Sequence, residues 1–177
     1  MGVEAIEDGA VLRDGRGDPQ AGDKLKFFFR ANCACYVYVV AIDGSGFVEV
    51  AFPHADDAEA NPVMPGHQYL IPKDDTVWYG LDEYRGIEHV YFIASSTRRP
   101  ELEHVIATLA RGKREMRGPG YRPVREPAIV LTRGIRRVHS AAPVSIPTAT
   151  GAGQPVTATA FETSGAELVI TRWFRHE

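Results

Sequence analysis

The sequence lacks the features that mark several large classes of protein. It has two cysteines in 177 residues, too few for a disulfide framework. No apolar run approaches the roughly 20 residues needed to span a bilayer. Residues 1–15 lack the basic and apolar regions of a secretory signal peptide. The net charge of −3 does not suggest a polyanion partner. We therefore expect no disulfide-rich scaffold, no transmembrane segment and no nucleic-acid binding.

Motifs for common catalytic chemistry are also missing. The phosphate-binding patterns G-x-G-x-x-G and G-x-x-x-x-G-K-[ST], the nucleophile motif G-x-S-x-G and the zinc motif H-E-x-x-H do not occur. The six histidines form no H-x-H or H-x₃-H pair suited to a metal. The acidic stretch at 56–59 lacks the spacing of a calcium loop. The sequence therefore predicts no catalytic, cofactor-binding or metal-binding residue, and no cofactor.

The two cysteines, Cys33 and Cys35, stand one residue apart. On a regular strand, residues i and i+2 lie about 6.6 Å apart, whereas a disulfide needs Cβ atoms about 3.5–4.5 Å apart. Without a local kink we therefore expect no bridge. We interpret Cys35 as a small apolar packing residue and place Cys33 near a hairpin corner. The alternative is a metal-binding or thiol-based sensor, which requires a histidine such as His54 or His89 near the sulfurs.

The segment after residue 22 has the patterns of β-strands. In "KLKFFFRA" (24–31), apolar and basic residues alternate. This pattern predicts a strand with its apolar residues on one face and Lys26 and Arg30 on the other. "CYVYVVAI" (35–42) is apolar on both sides and predicts a central strand that is covered on both faces. "DGSG" (43–46) then predicts a tight turn into the strand "FVEVAF".

The remainder predicts loops, further strands and one helix. Residues 53–66 are polar and proline-rich, which indicates a surface loop, and three strands follow before residue 97. "PELEHVIATLARG" predicts an amphipathic helix over about 100–111, with Gly112 as its cap. The basic tract at about 112–127 predicts a mobile loop. "VTATAFETSGAELVITRWF" predicts a C-terminal hairpin that turns at Ser164-Gly165.

About seven to nine short strands with regular turn signals predict a mainly β fold, a sandwich or an open barrel with one helix. We interpret residues 1–177 as a single domain. Five short motifs within it resemble the bacterial DUF4384 family, a domain of unknown function, over about residues 22–96. These are Gly22-Asp23, "YVYVVAIDG" (36–44), "VEVAFP" (48–53), "PGHQYLIP" (65–72) and "GIEHVYFIAS" (86–95). His54 departs from the pattern, since the family often has Asn there.

The resemblance implies an immunoglobulin-like β-sandwich of a bacterial envelope or multidomain protein, and it carries no catalytic residues. We therefore expect a non-enzymatic interaction or scaffold module in the periplasm or cell envelope, with an unidentified protein partner. A cytoplasmic location is the alternative, because no signal peptide is seen. The oligomeric state stays open. Besides the sensor at Cys33 and Cys35, a second alternative is a hydrolase with His67 or His89 as base, which requires a deep polar pocket.

Overall fold

The computed structural model describes residues 2–6, 24–54, 61–74, 77–81, 86–116, 135–138, 143–146 and 154–176. Twelve strands and one helix lie within these ranges. Their bounds are β1 Gly2–Ile6, β2 Lys24–Leu25, β3 Phe27–Ala31, β4 Tyr36–Ile42, β5 Val48–Phe52, β6 Gln68–Ile71, β7 Tyr79–Gly80, β8 Gly86–Ser95, α1 Pro100–Met116, β9 Ile135–Val138, β10 Pro143–Ile146, β11 Gln154–Thr163 and β12 Glu167–His176.

The strands form two antiparallel sheets that pack face to face. The first sheet has the order β10-β11-β1-β3-β6, with β9 also paired to β11, and the second has the order β12-β8-β4-β5. Strands β2 and β7 form a separate two-stranded ribbon. Within the described ranges, neither sheet closes on itself. The prediction of a mainly β fold with one helix is therefore confirmed, and the arrangement is that of a sandwich.

Aromatic side chains join the two sheets at the centre of the core. The ring of Phe29 on β3 stacks on that of Tyr69 on β6, with centroids 4.8 Å apart and planes inclined by 4°. Phe52, on β5 of the opposite sheet, meets Phe29 edge-on at 5.2 Å. Such tilted and offset pairs add about 0.5–1.5 kcal/mol each beyond the area that they bury. The three rings therefore hold the layers in contact.

A β-bulge brings Phe52 into this core. Val39 pairs with Phe52 while its neighbour Val40 pairs with Val50, so Ala51 is the extra residue. Without the extra residue, simple alternation would put Ala51 and Phe52 on opposite faces. With the bulge, both pack between the sheets and are at most 3% exposed.

Helix α1 covers the outer face of the second sheet. Tyr38, Val40 and Ile42 point to this face and form a second core with Ile106 of the helix. Strand β4 is thus covered on both faces, as its continuous apolar character predicts. The 1%-exposed Tyr38 also fixes the helix start, because its hydroxyl donates to Glu103 Oε1 at 2.9 Å and accepts from the Arg99 amide at 3.3 Å.

The helix is longer than its sequence pattern predicts. It continues through Gly112 to Met116, so the predicted end near 111 and the cap at Gly112 are wrong. A helical glycine costs about 1 kcal/mol relative to alanine, and the following residues 113–116 include good helix formers that sustain another turn. Residues 112–116 therefore belong to the helix, whereas the rest of the predicted mobile loop, 117–127, lies outside the described residues.

The predicted C-terminal hairpin is also wrong. Strand β11 pairs with β1, β9 and β10, whereas β12 pairs along its whole length with β8 in the other sheet. The connection at 164–166 therefore crosses between the layers. It is fixed there because the Ala166 carbonyl accepts a 2.9 Å hydrogen bond from the Ser96 amide. Alternation alone could not reveal this, since it does not say which strands pair.

Two further segments depart from the sequence interpretation. Strand β1, which the sequence analysis did not predict, lies between β3 and β11. Within the predicted surface loop 53–66, Asn61 bonds both backbone groups of Val37 through its side-chain amide, at 2.7 and 2.8 Å. Val63 bridges to Cys35 and is 1% exposed. The end of this loop therefore takes the place of a paired strand beside the start of β4.

Strand β12 is predicted to be essential for folding. Deleting residues 166–177 should unfold or aggregate the protein, because it removes Leu168 and Ile170 from the core between the sheets and leaves β8 as an edge strand. Thermal unfolding and size-exclusion chromatography would test this against a variant that lacks only residue 177. A truncated protein that stays monomeric with an unchanged melting temperature would contradict the prediction.

The contribution of Glu103 to the free energy of unfolding is predicted to depend on pH. Hydrogen bonds from Arg98, above all, hold the pKa of Glu103 below its ordinary value of 4.5. A group with a lowered folded pKa stabilises the fold above its unfolded pKa, and that contribution is lost as pH falls through the folded value. Glu103→Gln should therefore cost about 1 kcal/mol at pH 7, and less below pH 4.5.

Chemical denaturation at neutral and acidic pH would measure both costs. Glu101→Gln, at an exposed position of the same helical turn, is the matched control and should change stability little at either pH. An equal cost of Glu103→Gln at both pH values would contradict the ionic contribution.

Candidate functional site

A cleft of about 250 Å³ lies at one end of the sandwich. Its walls come from the second sheet, from the turn between β4 and β5, and from the ribbon of β2 and β7. The lining residues are Leu25, Phe27, Ala41, Asp43, Phe47, Glu49, Tyr79, Gly80, Leu81, Glu88, His89 and Val90. We call this the end cleft. It combines apolar walls with three carboxylates.

The strand register explains why carboxylates face the space between the sheets. Ala41 lies opposite Glu49 on one side and opposite Val90 on the other, and cross-strand partners project from the same face of a sheet. Val90 packs in the core between the sheets, so Glu49 projects towards that side too. Glu88 stands two residues before Val90 and therefore shares its face. The apolar core is replaced by charged groups at this end.

The turn between β4 and β5 is held by its own hydrogen bonds. Asp43 Oδ1 accepts from the Ser45 amide at 2.8 Å, the Ser45 hydroxyl at 2.6 Å and the Phe47 amide at 2.7 Å. Gly46 has a φ of 79°, which favours glycine. Glu88, which is 8% exposed, accepts a 3.2 Å bond from the Gly44 amide. Asp43 and Glu88 therefore have structural roles besides lining the cleft.

A close backbone contact seats this turn on β8. A Cβ atom at Gly86 would lie only 2.7 Å from the Cα atom of Gly44. Any larger residue at position 86 would therefore push the turn away from β8. Glycine at position 86 is thus required for the approach. Because Gly86 begins β8, the contact fixes the turn relative to Glu88.

The wall of the end cleft that the ribbon of β2 and β7 forms is held in position by Lys26. This side chain is 1% exposed, and its Nζ atom donates to the carbonyls of Pro72 at 2.9 Å and Asp74 at 2.6 Å. It also lies 5.1 Å from the centroid of the Trp78 ring, within the range of a cation–π contact. A buried ammonium needs such partners. Lys26 thereby ties the segment before Tyr79 to the start of β3, and so positions the ribbon.

His89 borders the end cleft, but its ring belongs to the other face of the sheet. It lies between Glu88 and Val90, and alternation directs it away from both. Its ring stacks with that of Tyr91 at 6.2 Å, and Tyr91 packs in the core under helix α1. The structure thus does not bring the His89 ring together with the carboxylates of Glu49 and Glu88, as a hydrolase with His89 as its base would require.

The two thiols are free and lie outside the end cleft. Residues 32–34 form a bend, so the spacing expected of a regular strand does not apply to Cys33. Cys35 is fully buried, and its thiol donates to the Cys33 carbonyl at 3.4 Å. Burial, followed by the neighbouring Cys33 thiol, raises the pKa of Cys35 to about 12. Cys35 is therefore protonated at neutral pH and is a poor nucleophile.

The remaining candidate histidines are dispersed. His67 is exposed and its ring packs edge-on against Tyr69 at 4.8 Å, while His54 is partly buried just after β5. Within the described ranges, no three histidine, cysteine, aspartate or glutamate side chains converge as metal ligands. No described histidine therefore completes a metal site with Cys33 and Cys35.

Comparison with known proteins finds a family match over part of the chain. Residues 20–98 match the family model of DUF4384, a domain of unknown function. The resemblance inferred over 22–96 is thereby confirmed. All twelve lining residues of the end cleft fall inside the DUF4384 segment. No curated protein and no solved structure matches the chain. Among the described residues, no helix has the length and apolar character to cross a membrane.

Sequence analysis did not single out Glu49 or Glu88. A signal was present, because alternation in "FVEVAF" puts Glu49 on the face of Phe47 and Ala51. Which of the two faces points to the other sheet is decided only by packing. Glu88 stands in a strand that carries apolar residues on both faces, so alternation does not assign it to one of them. Its neighbour His89 is the more usual candidate for a catalytic or metal-binding residue.

Thiol labelling is predicted to distinguish the two cysteines. Burial raises the pKa of the Cys35 thiol to about 12, so this thiol is almost entirely protonated at pH 8. Native protein should therefore label rapidly at Cys33 alone, and both cysteines should label after denaturation. Mass spectrometry after brief alkylation would measure this. Rapid labelling of Cys35 in the native protein, or a two-dalton mass loss reversed by reductant, would contradict the prediction.

Proposed function

We propose that this protein is a non-enzymatic binding module, and that its DUF4384 segment holds a protein partner at the end cleft. The observation that carries the proposal is the cleft itself, whose walls are held by a hydrogen-bonded turn and by a ribbon that Lys26 clamps. A site with walls fixed in this way loses little conformational entropy when a partner binds.

The size of the cleft favours part of a partner over a whole small molecule. Pockets for drug-sized ligands measure roughly 300–1,000 Å³, and the end cleft, at about 250 Å³, is smaller. One side chain or a short peptide segment is of a suitable size. Anchoring a partner through one side chain in a pocket is a common way for an interface to gain affinity.

The alternatives receive less support. The hydrolase alternative needs His67 or His89 as its base, but the His89 ring lies on the opposite face of β8 from Glu88, and His67 does not line the end cleft. Asp43 and Glu88 already accept hydrogen bonds from the turn. A thiol sensor would need an ionisable, accessible thiol, which is unlike the buried Cys35. An interaction module of a bacterial envelope or multidomain protein remains the function that we propose.

Selection from a phage-displayed random peptide library would test the proposal. Peptides would be selected on the folded protein and then measured on Ala41→Phe, which places a large ring in the cleft. Affinity should fall at least about tenfold, because the occupied volume is lost. Val105→Phe adds the same ring at an exposed position of helix α1, and it should leave binding unchanged.

Leu81→Trp narrows the cleft from the opposite wall and serves as a second variant should Ala41→Phe fail to fold. Thermal unfolding of each variant establishes that the fold is kept. A library that yields no peptide whose binding depends on Ala41 or Leu81 would refute the proposed function.

A further inference from the structure

We infer that the end cleft accepts the cationic end of a lysine or arginine side chain from the protein partner. This inference rests on the proposed function and names the chemistry of the group that is bound. It depends on the charge, the apolar lining and the dispersion of the carboxylates around the cleft.

Charge complementarity is the first argument. Asp43, Glu49 and Glu88 line the end cleft, whereas its described lining residues include no lysine and no arginine. The nearby ammonium of Lys26 is directed to the carbonyls of Pro72 and Asp74. Low-dielectric walls that carry charges of one sign concentrate the electric field within a cleft and attract the opposite charge. The electrostatic field thus favours a cation.

The apolar walls are the second argument. Leu25, Phe27, Ala41, Leu81 and Val90 line the same space, and Tyr79 packs against Phe27 with ring centroids 5.4 Å apart. Lysine and arginine bury their methylene stems against apolar surface and keep the charged end near polar groups. Aromatic rings also attract such cations. The lining therefore suits both parts of a long basic side chain.

The dispersion of the carboxylates argues against a metal ion. Calcium needs six to eight oxygen ligands that converge within about 2.3–2.6 Å. No three acidic, histidine or cysteine side chains among the described residues are close enough to hold an ion. Carboxylates spread around an apolar space suit an extended cation better than a compact one.

Glu49 is the residue that we expect to contact the cation. It is half-buried on β5, and it lines the end cleft opposite Ala41. Asp43 and Glu88 each bind backbone amides of the turn, so changing them would also disturb the turn. Glu49→Gln keeps the size of the side chain and removes only its charge.

Four short peptides provide the test. Each carries one central residue, arginine, lysine, citrulline or glutamate, between glycine and serine residues, and both ends are blocked. Citrulline matches arginine in shape but is neutral. Binding would be followed by the backbone amide signals of Ala41, Gly80 and Val90 in two-dimensional NMR of the full chain.

We expect the arginine and lysine peptides to shift these signals in a saturable way, and the citrulline peptide to bind at least about threefold more weakly. Glu49→Gln should weaken the arginine peptide by about threefold to fivefold, the effect of one partly exposed ion pair. Glu101→Gln, on the exposed helix surface, should leave its affinity unchanged. Raising NaCl from about 20 to 300 mM should also weaken binding, because salt screens the attraction.

Equal binding of the citrulline and arginine peptides, or an unchanged affinity in Glu49→Gln, would overturn the inference. So would calcium chloride shifting the same signals, since that would indicate a metal site. If library peptides that lack basic residues still lose affinity in Ala41→Phe, the proposed function stands and the cationic specificity alone is wrong. Loss of cleft-dependent binding for every library peptide would instead refute the proposed function.

Discussion

The contact of Phe29 with Tyr69 and Phe52 is the interaction on which the rest of this structure depends. It joins β3 and β6 of one sheet to β5 of the other, and strands β8, β4 and β12 add aliphatic side chains around it. The aromatic packing fixes the separation of the layers. The bulge at Ala51 is part of the same arrangement, because it lets Phe52 enter the core while Val48 and Val50 face helix α1.

The end cleft forms where the large apolar side chains of the core between the sheets end. Along β4, β5 and β8 the inner face changes from Val39, Phe52 and Phe92 to Ala41, Glu49 and Glu88. A small side chain and two carboxylates cannot fill the space that aromatic and branched residues fill further along. The turn at Asp43 and the ribbon held by Lys26 then keep the two walls apart. Buried polar contacts of Lys26 and Glu88 thus fix the walls of the end cleft.

Helix α1 and the C-terminal strands complete the DUF4384 segment from outside its bounds. The helix covers the outer face of the second sheet, which would otherwise expose Tyr38, Val40 and Ile42. Strand β12 adds to that sheet and β11 to the first, joined by a connection that crosses from one layer to the other. Leu168 and Ile170 extend the core between the sheets. The segment recognised by sequence therefore shares its core with later parts of the chain.

The sequence by itself determined the element types, because alternation, turn residues and helix periodicity are local. The strand signals within 24–31, 35–42 and 47–52, the turn at Asp43 and the helix start at Pro100 were predictable, as was the resemblance to DUF4384. The break at Lys26, which places Lys24–Leu25 in a separate ribbon, was not. Tertiary structure alone decided that β11 and β12 belong to different sheets, that Asn61 and Val63 complete the edge of β4, and that Lys26 is buried. It also decided which face of β5 and β8 turns inward. Glu49 and Glu88 line one cleft because β5 and β8 both pair with β4, and no local pattern encodes that pairing.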